Sequence, residues 1–206
     1  MLERIRRCYD SFIRFINDQE MSKKVQKPLG ELVENRVIIW DIEESRRLFK
    51  EGFYGKPIGI AKPKGANFDA PLILDLIEGY YLAKIGRITI YKGKKKVSLK
   101  AMEKICNQEY VDFKEKFLVY KKLREANYVV TPGIKFGCDF AVYEHGPGID
   151  HAPYLIQVVK PHDDVTATSI VLSGRLATTV RKRFILALAD IKQEKVNFLS
   201  FDWWRA

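Results

Sequence analysis

The chain has 206 residues, 36 Lys and Arg against 26 Asp and Glu, and a formal net charge of +10. That length suits one or two domains with a full core, and 47% hydrophobic with 30% charged residues excludes a disordered chain. The longest apolar run near the end, Phe184 to Ala189, is six residues, far short of the ~20 of a membrane helix, so no membrane partner is expected.

Over residues 4–20, arginines alternate with Ile5, Tyr9, Phe12, Ile13 and Ile16, which predicts an amphipathic helix. The opening MLERIRRCYD carries frequent charges and no apolar stretch, so no secretory signal is expected. RVIIW (36–40) reads as a short strand, and Glu43 to Glu51 as a charged helix closed by Gly52. Residues 52–71, rich in Gly, Pro and Lys, read as loop. Leu72 to Lys84 reads as an apolar helix. Ile88 to Tyr91 and Lys96 to Leu99 suggest a hairpin around Gly93, with Ser98 capping a helix that starts near Leu99. Helical stretches over 99–108 and 110–125 follow. A boundary is placed near Tyr110, giving an accessory domain 1–110 and a second domain 111–206.

In the second half, Phe136 to Tyr143 alternates, with Phe136, Cys138, Phe140 and Val142 assigned to the core face of one strand. The turn-rich EHGPGIDHAP follows, then an apolar strand from Tyr154 to Val159 with Gln157 inside it. A helix is expected from Ser173 to about Lys192, and a last strand from Phe198 to Trp204. Strand, strand, helix, strand suits an α/β or α+β domain with a mixed sheet.

The charge excess is seven in residues 1–110 and three in 111–206. It makes a polyanion partner plausible. The densest patch, KGKKK (Lys92 to Lys96), reads either as a solvated turn or as a phosphate-contacting loop. Cys8, Cys106 and Cys138 are odd in number and widely spaced, which fits a cytoplasmic protein in a reducing compartment and offers no zinc knuckle. Abundant Lys and Glu with few Asn and Gln point to a thermophilic source. His145, His151 and His162 fall within 18 residues. Their spacing matches no compact zinc motif, so one histidine in acid–base chemistry is the more economical reading, beside a metal cluster. Arg175, Thr178, Thr179 and Lys182 lie at i, i+3, i+4 and i+7, one face of the expected helix. Leu176, Val180, Phe184, Ala187 and Leu188 form its apolar stripe. On that helix the two cations sit about 10 Å apart, placed for adjacent phosphates, or else the stripe is a solvated polar face.

The runs YVVTPGIKFGCDFAVY (Tyr128–Tyr143), HAPYLIQVV (His151–Val159) and SGRLATTVRKRFILA (Ser173–Ala187) resemble, in order and spacing, the catalytic domain of the archaeal tRNA-splicing endonucleases. They cover most of residues 118–190. The resemblance implies an α+β chain of two domains. The first is a small N-terminal mixed helix/sheet domain. The second is a C-terminal α/β catalytic domain, restriction-endonuclease-like, with a central mixed sheet flanked by helices. It implies a metal-independent, cofactor-free tRNA-intron lyase. Such an enzyme excises introns from precursor tRNA at bulge–helix–bulge junctions and leaves 2′,3′-cyclic phosphate and 5′-hydroxyl ends. The family's catalytic tyrosine, histidine and lysine fall on Tyr143, His151 and Lys182. By resemblance they are the base for the 2′-hydroxyl, the acid for the leaving oxygen and the cation for the phosphorane. A histidine's reference pKa of about 6.5 suits the acid; a tyrosine's, near 10, makes deprotonation at pH 7 cost about 4 kcal/mol unless cations lie close. Substrate gripping falls on Arg175 and, near the end of the chain, on Trp204, with Trp203 and Arg205 chemically eligible. A homotetramer, or a heterotetramer with a related subunit, is the implied assembly, with residues 1–27 an N-terminal addition to the typical member.

Two other readings compete. Asp139, Gln157 and Lys160 sit roughly where a metal-dependent nuclease of the same broad fold carries its carboxylates and lysine, but the second carboxylate is missing. The chain also reads as a non-catalytic structural or RNA-binding subunit of the splicing complex, against which the intact Tyr143, His151 and Lys182 argue. Asp139 is expected to be structural, holding a loop or the catalytic lysine. Asp163–Asp164 is a candidate acidic docking loop, or else a helix N-cap.

Overall fold

The computed structural model describes residues 27–201 apart from Lys62, Lys64 and Asp150. The amphipathic segment 4–20, Cys8, Trp203, Trp204 and Arg205 lie outside the described residues. The chain is α+β, in two compact units, one ending at Glu109 and the next starting at Tyr110. Each is built on its own mixed sheet.

In the first unit, strands β1 (Leu29–Val33) and β2 (Arg36–Ile39) form a hairpin turned at Glu34, which takes a φ of 54°. Helix α1 (Ile42–Gly52) follows, then β3 (Lys56–Pro57), β4 (Leu72–Asp75), α2 (Leu76–Lys84), the β5 (Thr89–Lys92) and β6 (Lys95–Lys96) hairpin, and α3 (Leu99–Glu109). The sheet order is β3-β4-β2-β1-β5-β6, with only β1–β5 parallel. The Asp41 side chain caps α1 by accepting from Glu44 N at 2.8 Å, and Phe53, not Gly52, ends it in the left-handed conformation. Ser98 caps α3 through Ala101 N. Gly79 lets α2 lie on β2: a Cβ there would meet Val37 Cγ2 at 2.7 Å.

The expected helix over Leu72–Lys84 is two elements. LILD pairs with Ile39 to Arg36 as a strand, and Asp75 stops it. The Asp75 carboxylate accepts from Ile77 N, while Glu78 Oε2 accepts from Asp75 N, a reciprocal helix start. Glu78 is buried, and its other oxygen accepts from Gly55 N at 3.1 Å. Three apolar residues ahead of a helix carry no period to tell strand from helix. The strands β1 and β3 are likewise absent from the sequence-based expectation.

Ser45, fully buried, fastens α1 to the sheet. Its hydroxyl donates to Ile39 O at 3.0 Å and accepts from Leu72 N at 3.1 Å. On the sheet face where Ile38 and Trp40 cluster, the indole N–H of Trp40 donates to the Glu31 carboxylate at 2.7 Å, and burial pushes that carboxyl's pKa up.

In the second unit, α4 (Phe113–Glu125) leads into β7 (Val129–Pro132), a short 3-10 turn (Ile134–Phe136), β8 (Phe140–Tyr143), β9 (Tyr154–Val159), α5 (Ala167–Thr179), β10 (Arg183–Asp190) and β11 (Lys195–Ser200). The sheet order is β11-β10-β9-β8-β7, and β9–β10 is its parallel pair. Tyr120 of α4 packs on Phe140 on one face, while Ala177 of α5 joins Ala141, Leu155, Phe184 and Leu186 on the other. Arg124 ties α4 to the sheet, donating to Val130 O and to Tyr120 Oη.

Three expectations for this unit are corrected. The strand expected from Phe136 starts only at Phe140, because Gly137 (φ 66°) ends a 3-10 turn and breaks the alternation. Phe136 and Cys138 therefore pack with Ala141 and Tyr143, not with Phe140 and Val142. The helix expected over Ser173–Lys192 begins at Ala167, capped by Thr166, and ends at Thr179. Phe184 to Ala189 is strand, because a short apolar run buried on both faces looks the same in either state. The last strand starts at Lys195, not at Phe198.

Ser45→Ala removes two buried hydrogen bonds and leaves the Leu72 N–H without its partner, so a loss of about 1–3 kcal/mol is expected, read as a lower urea midpoint with an unchanged m value.

Candidate functional site

Register brings distant segments of the second unit to one end of its sheet. Val142 on β8 lies opposite Tyr154 on β9, and Tyr154 opposite Arg183 on β10. One step outward lie Tyr143, at the end of β8, and Lys182, just before β10, while His151 sits in the connection that leads into β9. β8 runs against β9 and β10 runs with it, so the end of the first strand and the beginnings of the other two coincide. Arg183 N donates to Pro153 O at 2.8 Å, joining the beginnings of β9 and β10.

Lys182 owes its place to the way α5 ends. Lys182 N donates to Ala177 O at 2.8 Å and Arg181 N to Thr178 O at 3.0 Å, a Schellman pairing that puts Arg181 at φ 54°. Its ammonium donates to Ala152 O at 2.5 Å, the carbonyl next to His151, and sits 5.2 Å from the centroid of the Phe136 ring. Ala152 is buried and Lys182 half-buried, and removal from water lowers the lysine's pKa from its ordinary 10.5.

Tyr143 is half-buried against the cluster of Ala141, Ala152 and Leu155. His151 and Arg175 are exposed. Arg175 lies in the last turns of α5, but Lys182 is three residues past the helix end, so the polar stripe joining them on one helix face does not exist. Trp204 lies outside the described residues. The structure thus brings Lys182 to the backbone beside His151 at the sheet end where Tyr143 emerges.

The residues of the competing readings make structural contacts. Asp139 precedes β8, at the end opposite Tyr143; its carboxylate pairs with Lys116 Nζ and accepts from Val158 N, both at 2.8 Å. It therefore holds α4 and β9, not Lys182. Lys160 pairs with Asp112 at 2.5 Å. His162 follows β9 and His151 precedes it, a separation of about 20 Å for six strand residues, so the three histidines form no cluster. Among the described residues no group of three or more His, Cys, Asp or Glu could hold a metal ion. The N-cap of α5 is Thr166 rather than Asp163 or Asp164; one Asp163 oxygen accepts from Lys160 N in the turn after β9.

Phe136, the Ala152 carbonyl and the hydrogen bond from Tyr154 Oη to Glu144 Oε1 (2.7 Å) complete this end of the sheet and are not singled out by the sequence reading. A signal exists for Phe136: Gly133 and Gly137 bracket it. Gly133 is buried where a Cβ would meet Cys138 Sγ at 2.6 Å, and Gly137 is left-handed. Two such glycines four residues apart mark a tight turn rather than a strand. Burial pushes the Cys138 thiol up to about 11 and that of Cys106 to about 12.

Among the described residues no helix is long and apolar enough to cross a membrane. Residues 113–198 match the family model of the tRNA intron endonuclease catalytic C-terminal domain, and residues 29–103 that of the tRNA intron endonuclease N-terminal domain. The chain is 42% identical over 169 residues to a tRNA-splicing endonuclease of Hyperthermus butylicus, covering 82% of this chain and 93% of that one. It is 40% identical over 176 residues to that of Sulfurisphaera tokodaii (85% and 98%) and over 174 residues to that of Saccharolobus solfataricus (84% and 96%). With both units matched and the shared sheet end built from the segments that carry Tyr143, His151 and Lys182, the chain belongs to the tRNA intron endonuclease family.

Proposed function

We propose that the protein is the catalytic endoribonuclease that excises introns from precursor tRNA at bulge–helix–bulge junctions. The observation that carries this reading is the convergence of Tyr143, the His151 segment and Lys182 at one end of the sheet. Three chemically distinct groups at one place fit an in-line displacement at phosphorus. The 2′-oxygen attacks the adjacent phosphorus, and the P–O5′ bond breaks. Tyr143 takes or directs the 2′-hydroxyl proton, His151 protonates the departing 5′-oxygen, and Lys182 offsets the charge that builds on the non-bridging oxygens. The products are a 2′,3′-cyclic phosphate and a 5′-hydroxyl. Phe136 and Ala152 O leave the ammonium partly desolvated, where its charge acts more strongly on a phosphate than it would in water. None of these steps calls on a metal ion or an organic cofactor. The assembled enzyme is read as a homotetramer, or a heterotetramer with a related subunit.

Tyr143→Phe, His151→Ala and Lys182→Ala are each expected to lower single-turnover cleavage by about 10²-fold or more while sparing RNA affinity. Wild-type cleavage is expected to survive EDTA and to yield cyclic phosphate ends. A His151→Ala protein at near full rate, or loss of activity on chelation, removes the assignment.

The lowered pKa of Lys182 has a sign that kinetics can read. Its ammonium loses its proton below the ordinary lysine value of 10.5, so the rate falls on the alkaline side of the pH profile below that value. Lys182→Arg keeps its charge at every working pH, and whatever rate it retains is expected to lose the part of the alkaline fall that Lys182 causes. An identical profile in both proteins separates the fall from Lys182.

Arg175, exposed near the end of α5, is proposed to clamp a splayed base together with Trp204. Arg175→Ala is expected to weaken binding of bulged RNA more than of plain duplex, measured by filter binding at fixed salt. Equal losses count against a base clamp.

A further inference from the structure

A second basic surface lies in the first unit, which carries none of the candidate site residues. From Gly79 to Met102 the chain has seven basic residues and no acidic one. Lys92, Lys94, Lys95 and Lys96 are exposed on the β5–β6 hairpin, and Lys100 and Lys104 are exposed one turn apart on α3. Strand register sets Lys92 directly opposite Lys95. Like charges facing across neighbouring strands are destabilising, and so are like charges four residues apart on a helix. Among the described residues none of the six makes an ion pair. The same unit treats its arginines differently. Arg36 pairs with Asp75, Arg46 with Glu43, Arg47 with Glu44 and Arg87 with Glu51.

Lysine on an edge strand also guards against strand-to-strand aggregation, and β6 is such an edge. That accounts for Lys95 and Lys96. Lys92 lies on the inner strand β5, Lys94 in the turn, and Lys100 and Lys104 on a helix, where the guard has no use. The unfavourable charge arrangement is therefore spread beyond what the fold asks for.

We propose that these six lysines form a contact surface for the phosphate backbone of structured RNA, namely the body of the precursor rather than its cleaved junction. The inference rests on the endoribonuclease reading above for the identity of the RNA. Lysine is a compact, strongly hydrated point charge suited to sequence-independent phosphate contact. No aromatic residue lies between Lys92 and Lys104, and Tyr91, opposite Lys96, packs against the Ile38–Trp40 cluster, so the surface offers little on which splayed bases would stack. Duplex backbone fits it; an unpaired junction does not.

The test measures binding by the full chain to precursor tRNA made uncleavable by a 2′-deoxy residue at the junction, and to a minimal bulged RNA that lacks the tRNA body. K92Q/K94Q/K95Q/K96Q is expected to bind the full precursor about ten-fold or more weakly at moderate salt, and to lower the log–log salt slope by about three, at roughly 0.7–0.9 per phosphate contact. K100Q/K104Q is expected to lower it by about 1.5 on the same scale. Binding and single-turnover cleavage of the minimal RNA stay at wild-type levels. K50Q/K56Q, which removes as much charge as the α3 pair from exposed positions elsewhere in the unit, leaves the slope unchanged. An unchanged slope in both lysine variants overturns the proposal, as does an equal loss in the K50Q/K56Q control or on the minimal RNA. A changed assembly mass with the slope intact also overturns it, by giving the surface to an acidic protein partner. If the deoxy precursor is itself cut, the 2′-hydroxyl chemistry fails while the salt slopes still decide the surface.

Discussion

The site depends above all on the pairing of β9 with β10 in parallel and with β8 in antiparallel register. Hydrogen-bond ladders allow only discrete offsets, and a slip of one residue turns every side chain to the other face. The partners Val142, Tyr154 and Arg183 therefore fix which residues stand just beyond the sheet. Both faces of these strands are covered, by α4 through Tyr120 on one side and by α5 through Ala177 on the other. Leu155, Ile156 and Val158 are buried and Gln157 is only partly so; a slip would drive Gln157 into one of their places, so hydrophobic burial holds this register.

Within that frame Lys182 is held in an unusual balance. An ammonium taken partly out of water loses hydration, and here one carbonyl and one aromatic face replace it. Neither carries a full negative charge. Elsewhere in the same unit lysines meet carboxylates: Lys116 meets Asp139 and Lys160 meets Asp112. The difference separates a lysine left available to an anionic ligand from lysines already neutralised in the fold. Asp139 shows the same logic from the acidic side, since its two oxygens are spent on α4 and β9.

How much of this is legible in the sequence depends on the kind of signal. Tyr154 to Val159 reads correctly to the residue, because a β-branched and apolar run between turn-rich segments has one good solution. The Ser98 cap and a hairpin around Gly93 likewise follow from local chemistry, although its second strand is Lys95–Lys96 rather than Lys96–Leu99, because Leu99 already starts the helix that Ser98 caps. The α5–β10 junction does not. Its stop is a Schellman turn at Arg181, a position where glycine is the usual marker, and the following FILALA has no period of its own. The strand LILD escapes for the same reason, its end marked only by the Asp75–Glu78 pair. The positions of Tyr143, His151 and Lys182 come from resemblance to a family, whereas Phe136 and Ala152 O require the folded chain, since no local rule brings residues 136, 152 and 182 together.

The connection between β8 and β9 has a consequence for how such a chain can change over time. Tyr143 belongs to the strand that leads into it, and the Ala152–Pro153 end is tied to Lys182 and Arg183. Both ends are thus anchored independently of what lies between. Closing a longer flexible loop costs only about 0.6 kcal/mol per doubling of length, so residues added at the exposed turn of Gly148 and Ile149 would leave the two anchors where they are. That arch can thus be lengthened or recomposed while Tyr143 and Lys182 stay in place. A single insertion inside Phe140–Tyr143 or Tyr154–Val159 has no such freedom.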